Sequence, residues 1–318
     1  MYSITRRRRE PSSSCVYLKD KMEDRIQYCI FDPTGNITAL VETPVDIPNQ
    51  PAVASRIMEM EPDVEQVGFV TYANQSALAE GDAPVSLRMA GGEFCGNATM
   101  CAAALVAIHN DLRGGAVPVQ IKVKVSGTAE PLTVSLEQKD AFSFSTAVSM
   151  PPAIRIGRIE LQSAEEAGAS ESGSTGETGA MLSLPIVEME GISHIIIEPD
   201  SGFFGIKDDP DFAESMLRHW CGVLGADCLG MMFLGEGDTL RPMTPLVYVP
   251  GADTMFWENS CASGSAAAGM YLAAKAGSPV DVTFDEPAGR FRVESDPATG
   301  RTVLHGSAIL RGSTIFAN

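Results

Sequence analysis

Residues Glu93–Leu105 read "EFCGNATMCAAAL", and residues Trp257–Gly269 read "WENSCASGSAAAG". In each stretch a cysteine leads a run of small residues. Aligning the two cysteines sets Cys95–Ala104 against Cys261–Met270, a weak internal repeat with one copy in each half of the chain. The segments that follow, "ATMCAAALVAI" and "SAAAGMYLAAKAG", have almost no polar face at a period of 3.6 residues, and a helix apolar nearly all round is buried on every side. The surrounding chain offers strand-like runs such as "IQYCIF", "QVGFVTYA", "VQIKVKVSG", "ISHIIIEP", "CLGMMFLG" and "TVLHGSAIL", rich in β-branched residues and bounded by Gly, Pro, Asn or Asp. A sheet curled about each helix is the wrapper such elements require. The expected fold class is therefore α+β, with two pseudo-symmetric domains, each a mixed or antiparallel sheet around a central helix. Two further helices are expected, at "PAVASRIMEM" after Pro48 and "DFAESMLRHWCGVLG" from Asp211.

The chain has 318 residues, 44% of them hydrophobic, enough for a sizeable core and about two domains. The expected division is an N-terminal domain at 22–150, to which a C-terminal strand at about 305–318 returns, and a C-terminal domain at 151–304. Residues 1–21, with "RRRR" at Arg6–Arg9, read as a disordered basic extension lacking the apolar region of a secretory signal. Residues 163–180 contain no aromatic or large aliphatic side chain and read as a mobile loop. A net charge of -18 argues against nucleic acid, anionic membranes or polyphosphates as partners, and favours a small solute. No apolar run reaches the roughly 18 residues of a membrane span. Seven cysteines without paired spacing suit free thiols in a reducing compartment, so the expected location is cytoplasmic. The sequence leaves open whether the chain forms a homodimer.

A cysteine at the mouth of a helix meets unpaired backbone N–H groups and the positive end of the helix dipole, which favour its thiolate. The same N–H groups can cradle a carboxylate where the neighbours are small. If the two domains face one another, the seats merge. One thiolate then removes a proton from the carbon beside a bound carboxylate, and the other thiol returns one to the opposite face. Such two-base inversion requires no metal and no pyridoxal cofactor. Cys29, Cys101, Cys221 and Cys228 lack this setting and read as structural. Zinc is disfavoured because no ligand pairs lie two to four residues apart, and a phosphate loop because its Gly-Lys-Ser/Thr signature is missing. Of the four histidines, His194 borders an apolar strand and is a candidate cleft-lining residue.

These motifs resemble the paired cysteine motifs of the diaminopimelate epimerase fold family, whose members are two-domain racemases and epimerases independent of pyridoxal phosphate. Within it, "DPTGN", "EQVGF", "EFCGNATM", "KVKVSG" and "WENSC" are most similar to the histidine racemases of bacterial metallophore pathways. The likeness runs from about Arg25 to near the C-terminus. By resemblance, Cys95 and Cys261 are the acid/base pair, and N–H groups at Gly96, Asn97, Ala262 and Ser263 hold the α-carboxylate. Asn36 and Gln66 match substrate-contacting positions of the family. Glu65, Glu93 and Glu258 lie near the expected site in sequence; their candidate roles are to raise thiol basicity, orient the substrate ammonium or recognise an imidazolium, against a solvated structural role.

Departures from the family pattern matter too. Met89, Ile192 and Pro245 occupy positions where diaminopimelate epimerases carry asparagines, and no Glu-Arg pair precedes "WENSC". A second substrate carboxylate would lack its bidentate partner, at high cost. The expected activity is a cofactor-independent amino-acid racemase acting on histidine. The alternatives are a racemase or epimerase for another amino acid, diaminopimelate included, a noncatalytic amino-acid-binding protein, and a thiol-redox protein.

Overall fold

In the computed structural model the described residues are 25–73, 77–112, 118–162 and 181–317; the expected basic extension and the 163–180 loop lie outside them. The fold is α+β. Four helices of eleven residues or more stand out: α1 (Gln50–Met60), α2 (Gly96–His109), α3 (Pro210–Leu224) and α4 (Ala262–Ala276). Local chemistry bounds them. Asp209 caps α3 by accepting from the Phe212 N–H at 3.2 Å, Pro210 opens it, and Gly225 closes it at φ 60°.

Two strand series surround these helices. The first is β1 (Arg25–Asp32), β2 (Thr38–Val41), β3 (Gln66–Tyr72), β4 (Val85–Met89), β5 (Val119–Val125), β6 (Leu132–Gln138) and β7 (Ser143–Ser149). The second is β8 (Arg155–Gln162), β9 (Met181–Met189), β10 (Ile192–Ile197), β11 (Leu229–Leu234), β12 (Leu240–Val249), β13 (Thr254–Trp257), β14 (Val280–Asp285), β15 (Arg290–Asp296) and β16 (Arg301–Ala317). The β2–β3 and β4–β5 pairs are parallel, bridged by α1 and α2; β10–β11 and β12–β14 are likewise parallel, bridged by α3 and by β13 with α4. Every other strand pairing among the described residues is antiparallel. The repeat seen at the cysteines thus extends over two whole βαβ crossings per half, and a parallel pair requires such a crossing.

Strand β16 crosses between the halves. Arg301–His305 pairs with β15, Ile309–Ala317 pairs with β1, and β7 runs alongside Val303–Ile309. Together β1 to β7 and β16 close into a ring of eight strands. Helix α2 runs through that ring, buried from Gly96 to Ala107, and α4 is buried from Ala262 to Met270 against β9, β10, β11, β14, β15 and β16. The helix starts touch: a Cβ on Gly96 would lie 2.8 Å from the Ala262 Cβ.

Strands β6, β7, β8, β9 and β13 are absent from the sequence expectations. In β6 and β7 buried positions alternate with Ser, Thr and Glu, which dilutes the apolar signal; β8 is a largely exposed edge, and β9 carries Pro185. No helix among the described residues is long and apolar enough to cross a membrane.

Candidate active site

Cys95 and Cys261 are the N-caps of α2 and α4, both in extended backbone. The Ala98 N–H donates to Cys95 Sγ at 3.3 Å, and the Gly264 N–H donates to Cys261 Sγ at 3.4 Å. The repeat therefore reproduces one local geometry twice, and both cysteines line a single cavity between the halves. Gln66, Asn97, Glu258, Ser263, Glu65 and Glu93 share its wall. Its apolar lining includes Met58 of α1 and Val249, Ala252 and Phe256 around the β12–β13 turn.

A polar chain links the thiols. Cys95 Sγ donates to Gln66 Oε1 at 2.7 Å, and Gln66 Nε2 donates to Glu258 Oε1 at 2.7 Å, three residues before Cys261. Burial pushes the Glu258 carboxyl up to about 7, with Glu65 and Glu93 adding to the rise while the Cys261 and Gln66 contacts oppose it. Burial also raises both thiols above their ordinary range. The Ala98 N–H opposes this at Cys95, where Glu258 and Glu93 add to the rise; Glu258 and Glu286 reinforce it at Cys261. The sequence expectation of thiols lowered by the helix ends is thus corrected: in the enclosed cavity desolvation and carboxylate charge outweigh the N–H groups.

Four links pin the second cysteine motif to the first half. Glu65 accepts from the Asn259 N–H at 3.1 Å and from its amide Nδ2 at 2.5 Å. Gln66 holds Glu258, Asn36 Nδ2 donates to the Ser260 carbonyl at 2.8 Å, and the Ala262 N–H donates to Asn97 Oδ1 at 2.9 Å. Cys261 itself is held from behind, its N–H donating to Glu286 Oε2 at 2.6 Å while Ser265 Oγ donates to Glu286 Oε1 at 2.5 Å.

These contacts sort the expected site residues. Cys95, Cys261, Gln66, Asn97, Glu258, Ser263 and Glu65 meet at the cavity. Asn36 is fully buried away from its wall and braces Ser260 instead. Gly96 and Ala262 pack on each other outside the lining, and the Ala262 N–H is already engaged by Asn97. His194 does not line the cavity. It is fully buried in β10 with neither ring nitrogen hydrogen-bonded, and burial holds it down at about 3. Opposite Gly230 it occupies the place that Leu40 takes opposite Gly68 in the first half, a core position.

Two residues escaped the sequence reading. Cys228, read as structural, lines the cavity, and extending the internal alignment beyond the cysteines would have found it, since it stands just before β11 as Gln66 stands at the start of β3. Glu286 follows β14 where Ser126 follows β5, an equivalence that only the strand order exposes.

The architecture is that of proline-racemase-like and PhzF-like isomerases. A hydroxyproline epimerase from Agrobacterium vitis aligns with a TM-score of 0.63 and 11% identity over 93% of this chain and 94% of its own. A probable proline racemase from Agrobacterium radiobacter K84 aligns with a TM-score of 0.62 and 11% identity over 91% and 92%. At the level of sequence, the family model for the histidine racemase CntK N-terminal domain matches residues 25–305, and the chain belongs to that family. A histidine racemase of Fusobacterium nucleatum subsp. nucleatum is 29% identical over 79% of this chain and 84% of the relative. Another, from Staphylococcus aureus strain Mu50, is 26% identical over 85% and 88%.

Proposed function

We propose that this chain is a cofactor-independent racemase that interconverts L- and D-histidine through Cys95 and Cys261. The observation that carries the reading is the convergence of two helix-capping thiols on one enclosed cavity. In this reading the substrate carboxylate lies against the backbone N–H groups at Asn97 and Ser263, with the Cα between the sulfurs. One sulfur, as thiolate, takes the Cα proton while the other delivers its own to the opposite face. After each turnover the two thiols have exchanged protonation states. Burial and nearby carboxylates favour the neutral thiols. An entering ammonium group offsets the negative charge of Glu258 and eases thiolate formation as the substrate seats.

The same reading gives the lobes a diaminopimelate epimerase-like fold, divided as 22–150 with about 305–318, and 151–304. It takes the enzyme as cytoplasmic, with D-histidine supplied to metallophore synthesis. Incubation with L-histidine in deuterated water followed by chiral separation tests the activity. D-histidine carrying deuterium at Cα is expected, and Cys95→Ser or Cys261→Ser should each reduce its formation by about a hundredfold or more. Wild-type protein that yields neither D-histidine nor Cα exchange would refute the assignment.

A further inference from the structure

Among the lining residues of the cavity there are three carboxyl side chains, Glu65, Glu93 and Glu258, and no lysine, arginine or histidine. Their bonding states differ. Both Glu65 oxygens are engaged by Asn259. Glu258 is 4% exposed; its Oε1 accepts from Gln66, while its Oε2 is buried with no hydrogen bond of good geometry, the Cys261 thiol being in contact with the carboxyl. The Glu93 carboxyl is held by the backbone N–H groups of Glu93 and Gly91 with Arg88 nearby, yet its Oε2 is buried without a hydrogen bond. Two unpartnered carboxylate oxygens inside one apolar-walled cavity are costly unless a ligand supplies donors to both.

An α-amino acid brings one anion and one cation at Cα. If the helix starts receive the carboxylate, the ammonium group satisfies one orphan oxygen and leaves the other. Glu258 is the one beside Cα, because its side chain contacts the Cys261 thiol and is linked through Gln66 to Cys95. Glu93 Oε2 points elsewhere. A Cβ on Gly91 would lie 2.6 Å from it and equally 2.6 Å from Val249 Cγ1, with the Ala252 N at 3.2 Å. That places the oxygen near the β12–β13 turn, where apolar lining residues gather, in space left by a residue without a side chain.

We infer that Glu93 is the specificity-determining residue, accepting from an N–H group on a flat, cationic or N–H-donating substrate side chain held at the β12–β13 turn, while Glu258 takes the α-ammonium. This deepens the histidine assignment and rests on it. An imidazole ring fits both demands, presenting an apolar face to Met58 and Phe256 and an N–H edge to Glu93.

The test compares wild type with Glu93→Gln, reading Cα exchange of L-histidine in deuterated water and inhibition of that exchange by L-norvaline, whose side chain carries no N–H. For Glu93→Gln the expected result is a ten- to hundredfold rise in the KM for histidine, about the worth of one charge-assisted hydrogen bond, with kcat within about threefold of wild type. Norvaline should inhibit both proteins equally, which also reports that the variant is folded. An unchanged histidine KM, an equal loss of histidine and norvaline binding, or a fall in kcat alone would overturn the inference. Wild-type exchange confined to neutral amino acids would overturn it too. Exchange of no amino acid would refute the racemase reading itself, a separate result.

Discussion

Two buried groups set opposite pH slopes on the stability of this protein. Glu258 titrates near 7 in the folded chain, above the 4.5 of an ordinary carboxyl, so the folded state keeps a proton that the unfolded chain releases. Stability from this group is complete below about 4.5, falls as pH rises toward 7, and is level above; the shift is worth about 3 kcal/mol. Glu258→Gln, inactive or not, should therefore melt above wild type at pH 8 and lose that advantage toward pH 5, as thermal denaturation at the two pH values will read. His194 behaves in reverse. Held at about 3 against an ordinary 6.5, it stays neutral while the unfolded chain takes up a proton, so stability falls as pH drops below 6.5. His194→Leu should stabilise by about 1–2 kcal/mol at pH 7, by removing an unpaired buried polar ring, and by more at pH 5; equal denaturant midpoints at both would refute this. The cysteine pair was legible because it is written twice with the same neighbours. His194 misled because a histidine beside an apolar strand looks the same in sequence whether it faces a cleft or fills a core.

Helices α2 and α4 work as a pair because small residues let their first turns touch. The Gly96 hydrogen faces Ala262 where any Cβ would sit 2.8 Å from its neighbour's. Gly96→Val should thus separate the helix starts, cost about 1–3 kcal/mol in a chemical denaturation, and lower turnover by spreading the sulfurs; an unchanged midpoint would show that the contact yields freely. The central helices and most strands could be read from periodicity and β-branched runs. What could not be read was β8, which shows little apolar periodicity as an exposed edge; for β16, expected to return to the first half at about 305–318, an unbroken strand carries no mark of the point where it changes neighbours.

Across the whole molecule, the second thiol is positioned largely by the first half. Asn36, Glu65, Gln66 and Asn97 reach over to Ser260, Asn259, Glu258 and Ala262. Partners 165 to 224 residues apart give no local signal, which is why family likeness suggested substrate contact for Asn36 where its side chain braces Ser260. Asn36→Ala should leave the Ser260 carbonyl unpaired in a dry interior, cost about 1–3 kcal/mol, and reduce kcat for histidine with little change in KM. Lost stability with unaltered kcat would reduce its role to scaffolding. The two halves are nonetheless unequal: a carboxylate, Glu286, backs Cys261, while at the matching place Ser126 donates to the Glu93 carbonyl and Thr99 donates to that of Cys95. Mirror-image solutes have equal free energies in achiral water, so this imbalance cannot favour either hand at equilibrium. It can only apportion a common specificity constant differently for the two directions, making one enantiomer bind tighter and turn over correspondingly slower.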